Sequence, residues 1–174
     1  MKPLFILLFC AAALTNVIAC ARGCQLPRRI AKALLMPLLL AIYLTCARQV
    51  QAWVIPALLL GWIGDLFLIV PHQGLPRTLG IASFLLGHIC WFLAMVRQFP
   101  IAPALWGRIA APLVFLAAAA LIYRSLYPLL PREMKITGGV YIGVLAAMGA
   151  TAGLVLLSGC PGGWALLLGE LLFL

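Results

Sequence analysis

Four polar side chains stand out in an otherwise very apolar chain: Asp65, His88, Lys32 and Tyr141. Asp65 is the only aspartate and lies in Gly61-Trp62-Ile63-Gly64-Asp65-Leu66, inside a long apolar run. A charge at the centre of a membrane span costs about 2.5–3.5 kcal/mol on insertion scales. Such residues therefore tend to face an internal cavity and serve a function. On a helix, Gly61, Asp65 and Leu68 share a face and Gly64 lies beside it, which leaves room at the carboxyl for a neighbouring helix, a ligand or water. A carboxyl group in that setting suits general acid chemistry; the plainer reading is an aspartate that bonds a neighbouring group. His88 lies in a second apolar run, Ser83-Phe84-Leu85-Leu86-Gly87-His88. Counted from the 71–78 connection, Asp65 is about 9 Å and His88 about 14 Å from the same membrane face, so the two are expected to meet at similar depth. A lone histidine on an apolar helix more often serves packing, whereas one facing a carboxylate is a candidate for orienting it or activating water. Lys32 opens another run and suits a phosphate, held as by a point charge, or simple anchoring at the membrane face. Tyr141 is placed to orient a headgroup, to bond Asp65, or to bond backbone.

The elements that position these residues follow from composition. Of 174 residues, 66% are hydrophobic and 9% charged, and mean hydropathy is +1.19. Soluble domains run near ~25% charged, so a water-soluble globule is excluded. Disorder is excluded for the same reason. The expected fold is all-α, a polytopic transmembrane helix bundle forming one domain over residues 1–174. Apolar runs fall at about 3–21, 32–47, 52–71, 79–96, 109–123, 136–157 and 163–174. The last is shorter than the ~20 residues a crossing helix needs, so the chain is read as stopping partway through a seventh span. The start, with Val17-Ile18-Ala19-Cys20, also resembles a cleaved or lipidated signal, but a multi-pass protein uses its first span as its own signal, and that reading is preferred.

The formal net charge is +9, which in a soluble protein would suggest nucleic acid. Here the basic residues sit between apolar runs, a pattern of membrane topology, and no nucleic-acid partner is expected. Arg22, Arg28, Arg29, Lys32, Arg77, Arg124, Arg132 and Lys135 fall on one side; Lys2, Arg48, Arg97 and Arg108 fall on the other. The richer side is expected in the cytoplasm, which puts the N-terminus outside, in the inner membrane if the source is bacterial. The six cysteines form no zinc-type spacing, and neither a metal nor an organic cofactor is expected. His72 reads as a solvated loop residue, and the depth of Glu170 is left open. In the sixth run, Gly139-Val-Tyr-Ile-Gly143 and Gly149-Ala-Thr-Ala-Gly153 allow close helix approach, within the bundle in preference to a dimer.

Taken in order, Lys32-Ala33-Leu34-Leu35-Met36-Pro37-Leu38-Leu39, Leu58-Leu59-Leu60-Gly61-Trp62-Ile63-Gly64-Asp65 and Phe84-Leu85-Leu86-Gly87-His88-Ile89 resemble the YhhN-type membrane protein family, which includes lysoplasmalogenases. Val140-Tyr141 with Met148 is similar to that family's sixth helix. The resemblance implies an eight-helix bundle and hydrolysis of the vinyl ether of lysoplasmalogens, giving a fatty aldehyde and glycerophosphocholine or glycerophosphoethanolamine. It implies a lysophospholipid substrate, and Asp65, His88 and Lys32 stand at positions matching the family's polar motifs; for that substrate Asp65 and His88 are the expected catalytic residues and Lys32 and Tyr141 the expected substrate-binding residues. Ala33 departs from the family, which often has proline after the lysine. Family members also continue past Gly169-Glu170-Leu171-Leu172-Phe173 into a Ser-Asp pair, implying a carboxylate pair of which this chain holds one member.

Vinyl ethers hydrolyse by protonation of the β-carbon, which requires an acid and a nearby negative charge, the two-carboxylate logic of glycosidases. Three other readings compete. An intramembrane Asp near a His also suits a proton-coupled carrier or lipid transporter, although the two halves show no matching pair of broken helices. A metal-dependent lipid hydrolase needs about three ligands, and only Asp65 and His88 are suitably placed. The last is a non-catalytic bundle.

Overall fold

The computed structural model describes residues 2–69, 74–99, 101 and 103–172; His72 lies outside them. The described residues form seven helices and no strand: α1 (Lys2–Ala21), α2 (Gln25–Cys46), α3 (Val54–Ile69), α4 (Leu75–Gln98), α5 (Leu105–Leu126), α6 (Arg132–Leu157) and α7 (Gly163–Leu171). The fold is all-α. Five of the helices, α1, α2, α4, α5 and α6, are long and apolar enough to cross a membrane, as an integral membrane protein requires. The apolar helix α3 has 16 residues and α7 has 9. Helices dominate because every backbone N–H and C=O must be satisfied within its own segment when no water is at hand.

Several helices extend beyond the apolar runs. α2 starts at Gln25, seven residues before the run at 32. Pro27 is compatible with a first helical turn, and Arg28 and Arg29 are good helix formers. Charge ends an apolar window but not a helix. Lys32 thus stands almost two turns inside α2, not at its start. α5 and α6 likewise extend outward through Arg108, Arg124, Arg132 and Lys135.

The chain divides into two compact units, Met1–Cys90 and Trp91–Leu174, with α4 contributing residues to each. In the first, α1 packs along α2, and α2 packs on α3. Much of α1 remains exposed: Leu7, Leu14 and Val17 are more than half accessible. Such apolar surface is stable against lipid, whose tails are as apolar as leucine. The α2–α3 connection is held by Tyr43, whose hydroxyl accepts the Gln51 N–H at 2.7 Å.

The second unit has two adjoining clusters. Met95, Met148 and Ala152 pack with Trp91, Phe92, Val144, Leu166 and Leu167. Phe115, Ala119 and Ala146 pack with Ile142, Ala150 and Leu167. Gly149 is essential to the α5–α6 contact, because a Cβ there would overlap the Phe115 ring, and Gly153 lies against Ala111 and the same ring. The Gly149–Gly153 pair therefore works inside the bundle, as expected. Gly143 faces open space. At the α5–α6 turn, the Lys135 ammonium lies 3.9 Å from the Tyr127 ring centroid, and the Tyr123 hydroxyl donates to the Lys135 carbonyl at 3.2 Å.

Candidate functional site

The first unit gathers a polar cluster from three helices. α3 is too apolar overall to have a strongly polar face. What distinguishes one face is size: Gly61 and Gly64 leave troughs that neighbouring helices fill. The Met36 methyl lies 3.6 Å from where a Gly61 Cβ would be. The Phe84 ring lies 2.8 Å from where a Gly64 Cβ would be, too close for any side chain there without movement. Gly87 of α4 in turn lies against the Ala57 carbonyl and the Gly61 nitrogen. α2, α3 and α4 thus approach closely around the turn that carries Asp65.

Within this frame, Lys32 Nζ lies 3.0 Å from Asp65 Oδ1. The Asp65 side chain is 11% exposed and that of Lys32 36%. The pair is closed on the carboxylate side and partly open on the ammonium side. A carboxylate withdrawn from water needs such a partner, because an unpaired buried charge is very costly. On either side of the pair, polar bonds tie the helices together. The Trp62 indole N–H donates to the Ala33 carbonyl at 2.9 Å, joining α3 to α2. The buried Ser83 hydroxyl donates to the Leu60 carbonyl at 2.6 Å, joining α4 to α3.

His88 is buried, 7% exposed. Its Nδ1–H donates to the Phe84 carbonyl, 2.6 Å away on its own helix. That bond fixes the ring and directs Nε2 away from the Phe84 turn. The α3–α4 register, read from Gly64 against Phe84 and Gly87 against Gly61, sets Asp65 near the Ser83 turn. His88 lies five residues further, roughly 7.5 Å along the axes at 1.5 Å per residue. The depth count from the connection differs because it takes both helices to begin at one level, whereas α4 begins at Leu75, before the apolar run at 79. Tyr141 is half-buried on α6 in the second unit. Glu170 is half-buried on α7.

The structure therefore joins Asp65 first to Lys32. Sequence reasoning treated these as separate, an acid at depth and a cation at the surface, because the apolar run placed Lys32 at a helix start. Trp62 and Ser83 are contributors to the site that the apolar runs alone do not single out. A serine in an apolar run was a usable signal, since its hydroxyl needs a partner there. Among the described residues, no group of three or more His, Cys, Asp or Glu is placed to hold a metal ion.

Closely packed apolar helices, five of them long enough to cross a membrane, with a Lys–Asp ion pair between α2 and α3, define an integral membrane protein with a polar site among apolar helices. The family profile of YhhN matches residues 27–174, and the chain belongs to the YhhN family. A protein of Mycobacterium bovis named lysoplasmalogenase is 34% identical over 103 residues, 59% of this chain and 40% of that protein. A lysoplasmalogenase of Mycobacterium tuberculosis matches with the same identity and coverage. The matched region spans less than half the length of these relatives. No solved structure matches the chain.

Proposed function

We propose that this protein is an integral-membrane hydrolase of lysoplasmalogen type, cleaving the vinyl ether of a lysophospholipid to a fatty aldehyde and a glycerophospho-alcohol. The observation that carries the reading is the 3.0 Å Lys32–Asp65 pair, set among apolar helices in a member of the YhhN family. The named relatives support the substrate class.

The reaction consumes one water. A proton adds to the β-carbon of the vinyl ether, and the double-bond electrons form that C–H bond. The α-carbon and ether oxygen become an oxocarbenium ion. Water attacks the α-carbon and loses a proton, giving a hemiacetal. The hemiacetal breaks its C–O bond to the glycerol, yielding aldehyde and alcohol. A negative charge beside the cation is worth most in a site without water. Asp65 supplies that charge or delivers the first proton. His88, its ring fixed by the Phe84 carbonyl, orients the carboxyl through bound water or activates the attacking water.

Lys32 has two roles that compete. Its ammonium, one-third exposed, is accessible to a substrate phosphate, and a phosphate drawing it outward loosens its hold on Asp65. Headgroup binding would then prepare the carboxyl for chemistry, binding energy being used at the reacting centre. The N-terminus is proposed to lie outside, so that the α1–α2 turn with Arg22, and the first turn of α2 with Arg28 and Arg29, face the cytoplasm.

The test is fatty aldehyde release from a lysoplasmalogen by the reconstituted protein, followed by mass spectrometry. Hydrolysis gives aldehyde and glycerophospho-alcohol in equal amounts. A carrier of the lipid or of protons gives none, and that outcome would replace this reading.

A further inference from the structure

α2 contains Pro37 in its interior. A helical residue donates its N–H to the carbonyl four residues earlier, and proline has no N–H to give. The carbonyl left without its helical donor is that of Ala33. The proline ring also crowds that carbonyl and tilts it away from the helix axis. In water the vacancy would be filled by solvent. Among apolar helices an unsatisfied carbonyl is expensive. The Ala33 oxygen is the one that receives the Trp62 indole N–H at 2.9 Å.

We infer that Trp62 is a positioning residue: its indole N–H replaces the donor that Pro37 lacks, and this one bond sets the register of α2 on α3 that keeps Lys32 against Asp65. The spacing makes the link direct. Ala33 follows Lys32 in the chain, and Trp62 lies three residues, just under one turn, before Asp65 on α3. Bond and ion pair are thus successive rungs between two antiparallel helices. Met36 against Gly61 forms a third. The bond is directional, and the indole has one N–H donor and nothing else to bond with. It can fix a register that sliding apolar contacts leave free. The importance of that register for turnover rests on the hydrolase reading; the register itself does not.

Two readouts test the inference, and neither needs turnover. The first uses the single aspartate. Protein labelled with 13C at the aspartate side-chain carboxyl gives one signal, that of Asp65. Substituting Lys32→Met moves this signal by removing the ammonium. Trp62→Phe keeps an aromatic ring but no N–H, and is expected to move it in the same direction. A signal unmoved by Trp62→Phe overturns the positioning role. The second readout is a thermal-stability cycle with Pro37→Ala, which restores the backbone N–H at that position. Trp62→Phe is expected to lower Tm clearly in the parent and by less than half as much in the Pro37→Ala background, because the Ala33 carbonyl then has its helical donor. An equal loss in both backgrounds shows that Trp62 acts by packing alone and overturns the replacement. If Trp62→Phe fails to fold, recovery of folded protein in the Pro37→Ala, Trp62→Phe double variant supports the inference, and failure of both overturns it. Where the register is confirmed but the parent protein releases no aldehyde, the hydrolase reading fails and the inference stands.

Discussion

Asp65 and Lys32 make opposite demands on one geometry. The carboxylate needs its partner in order to be buried, and the proposed chemistry needs that partner to yield. Replacing Asp65 by Asn keeps shape and removes the charge. Aldehyde release is expected to fall by about 10²–10⁴-fold, the usual worth of one positioned acid or base, with KM little changed. Replacing Lys32 by Met strands the carboxylate. Removing one partner of a fully buried pair costs about 3–5 kcal/mol. With Lys32 36% exposed, water replaces part of the loss, and roughly 1–3 kcal/mol of stability is expected, read as a lowered Tm. The same variant should raise KM more than it lowers kcat if the ammonium also meets the phosphate. Asp65 was legible from sequence because a lone carboxylate in an apolar run has few structural excuses. Its partner was less so: a lysine beside two arginines reads as part of a surface cluster, and only the true start of α2 places it inside.

At the scale of elements, the small residues decide how near the helices come. Gly64→Leu would drive a side chain into the Phe84 ring, whose atoms lie 2.8 Å from the first added carbon. This should separate α3 from α4 and abolish turnover, while Leu59→Ala, at an exposed apolar position, should leave it within about twofold, since surface changes away from special features cost little. In the second unit, Gly149→Ala overlaps the Phe115 ring. Overpacking of this kind costs about 1–3 kcal/mol, and Phe115→Leu in the same chain should recover part of the lost Tm. The existence and order of the helices were readable from apolar runs, since a spanning segment has no other way to satisfy its backbone. Their ends were not, because helices run on through Arg and Lys after the hydropathy signal stops. The α3–α4 register was also beyond a count from the connection. It is set by which glycine meets which ring or backbone, Gly64 with Phe84 and Gly87 with Gly61, and that pairing is a long-range property.

For the whole molecule, orientation can be checked with native cysteines. Cys24 lies at the α1–α2 turn and Cys46 at the end of α2, and both are exposed. With the N-terminus outside, a membrane-impermeant maleimide added to intact cells should label a variant retaining only Cys46. A variant retaining only Cys24 should react only after permeabilisation. The reverse pattern inverts the proposed topology and moves the Lys32 end of α2 to the outer leaflet. Composition alone placed the chain in a membrane, and the ordered motifs around Lys32, Asp65 and His88 pointed to the YhhN family, to which it belongs. Composition and motifs could not reveal the bonds that hold the site, since the Trp62–Ala33 bond joins residues 29 apart in sequence. The most direct measurement of the central claim is aldehyde release from a lysoplasmalogen by the purified, reconstituted protein and its Asp65→Asn variant, at equal folded concentration. The account predicts equal yields of aldehyde and glycerophospho-alcohol from the parent and a rate at least about 10²-fold lower from the variant. Near-parental aldehyde release by Asp65→Asn would contradict it.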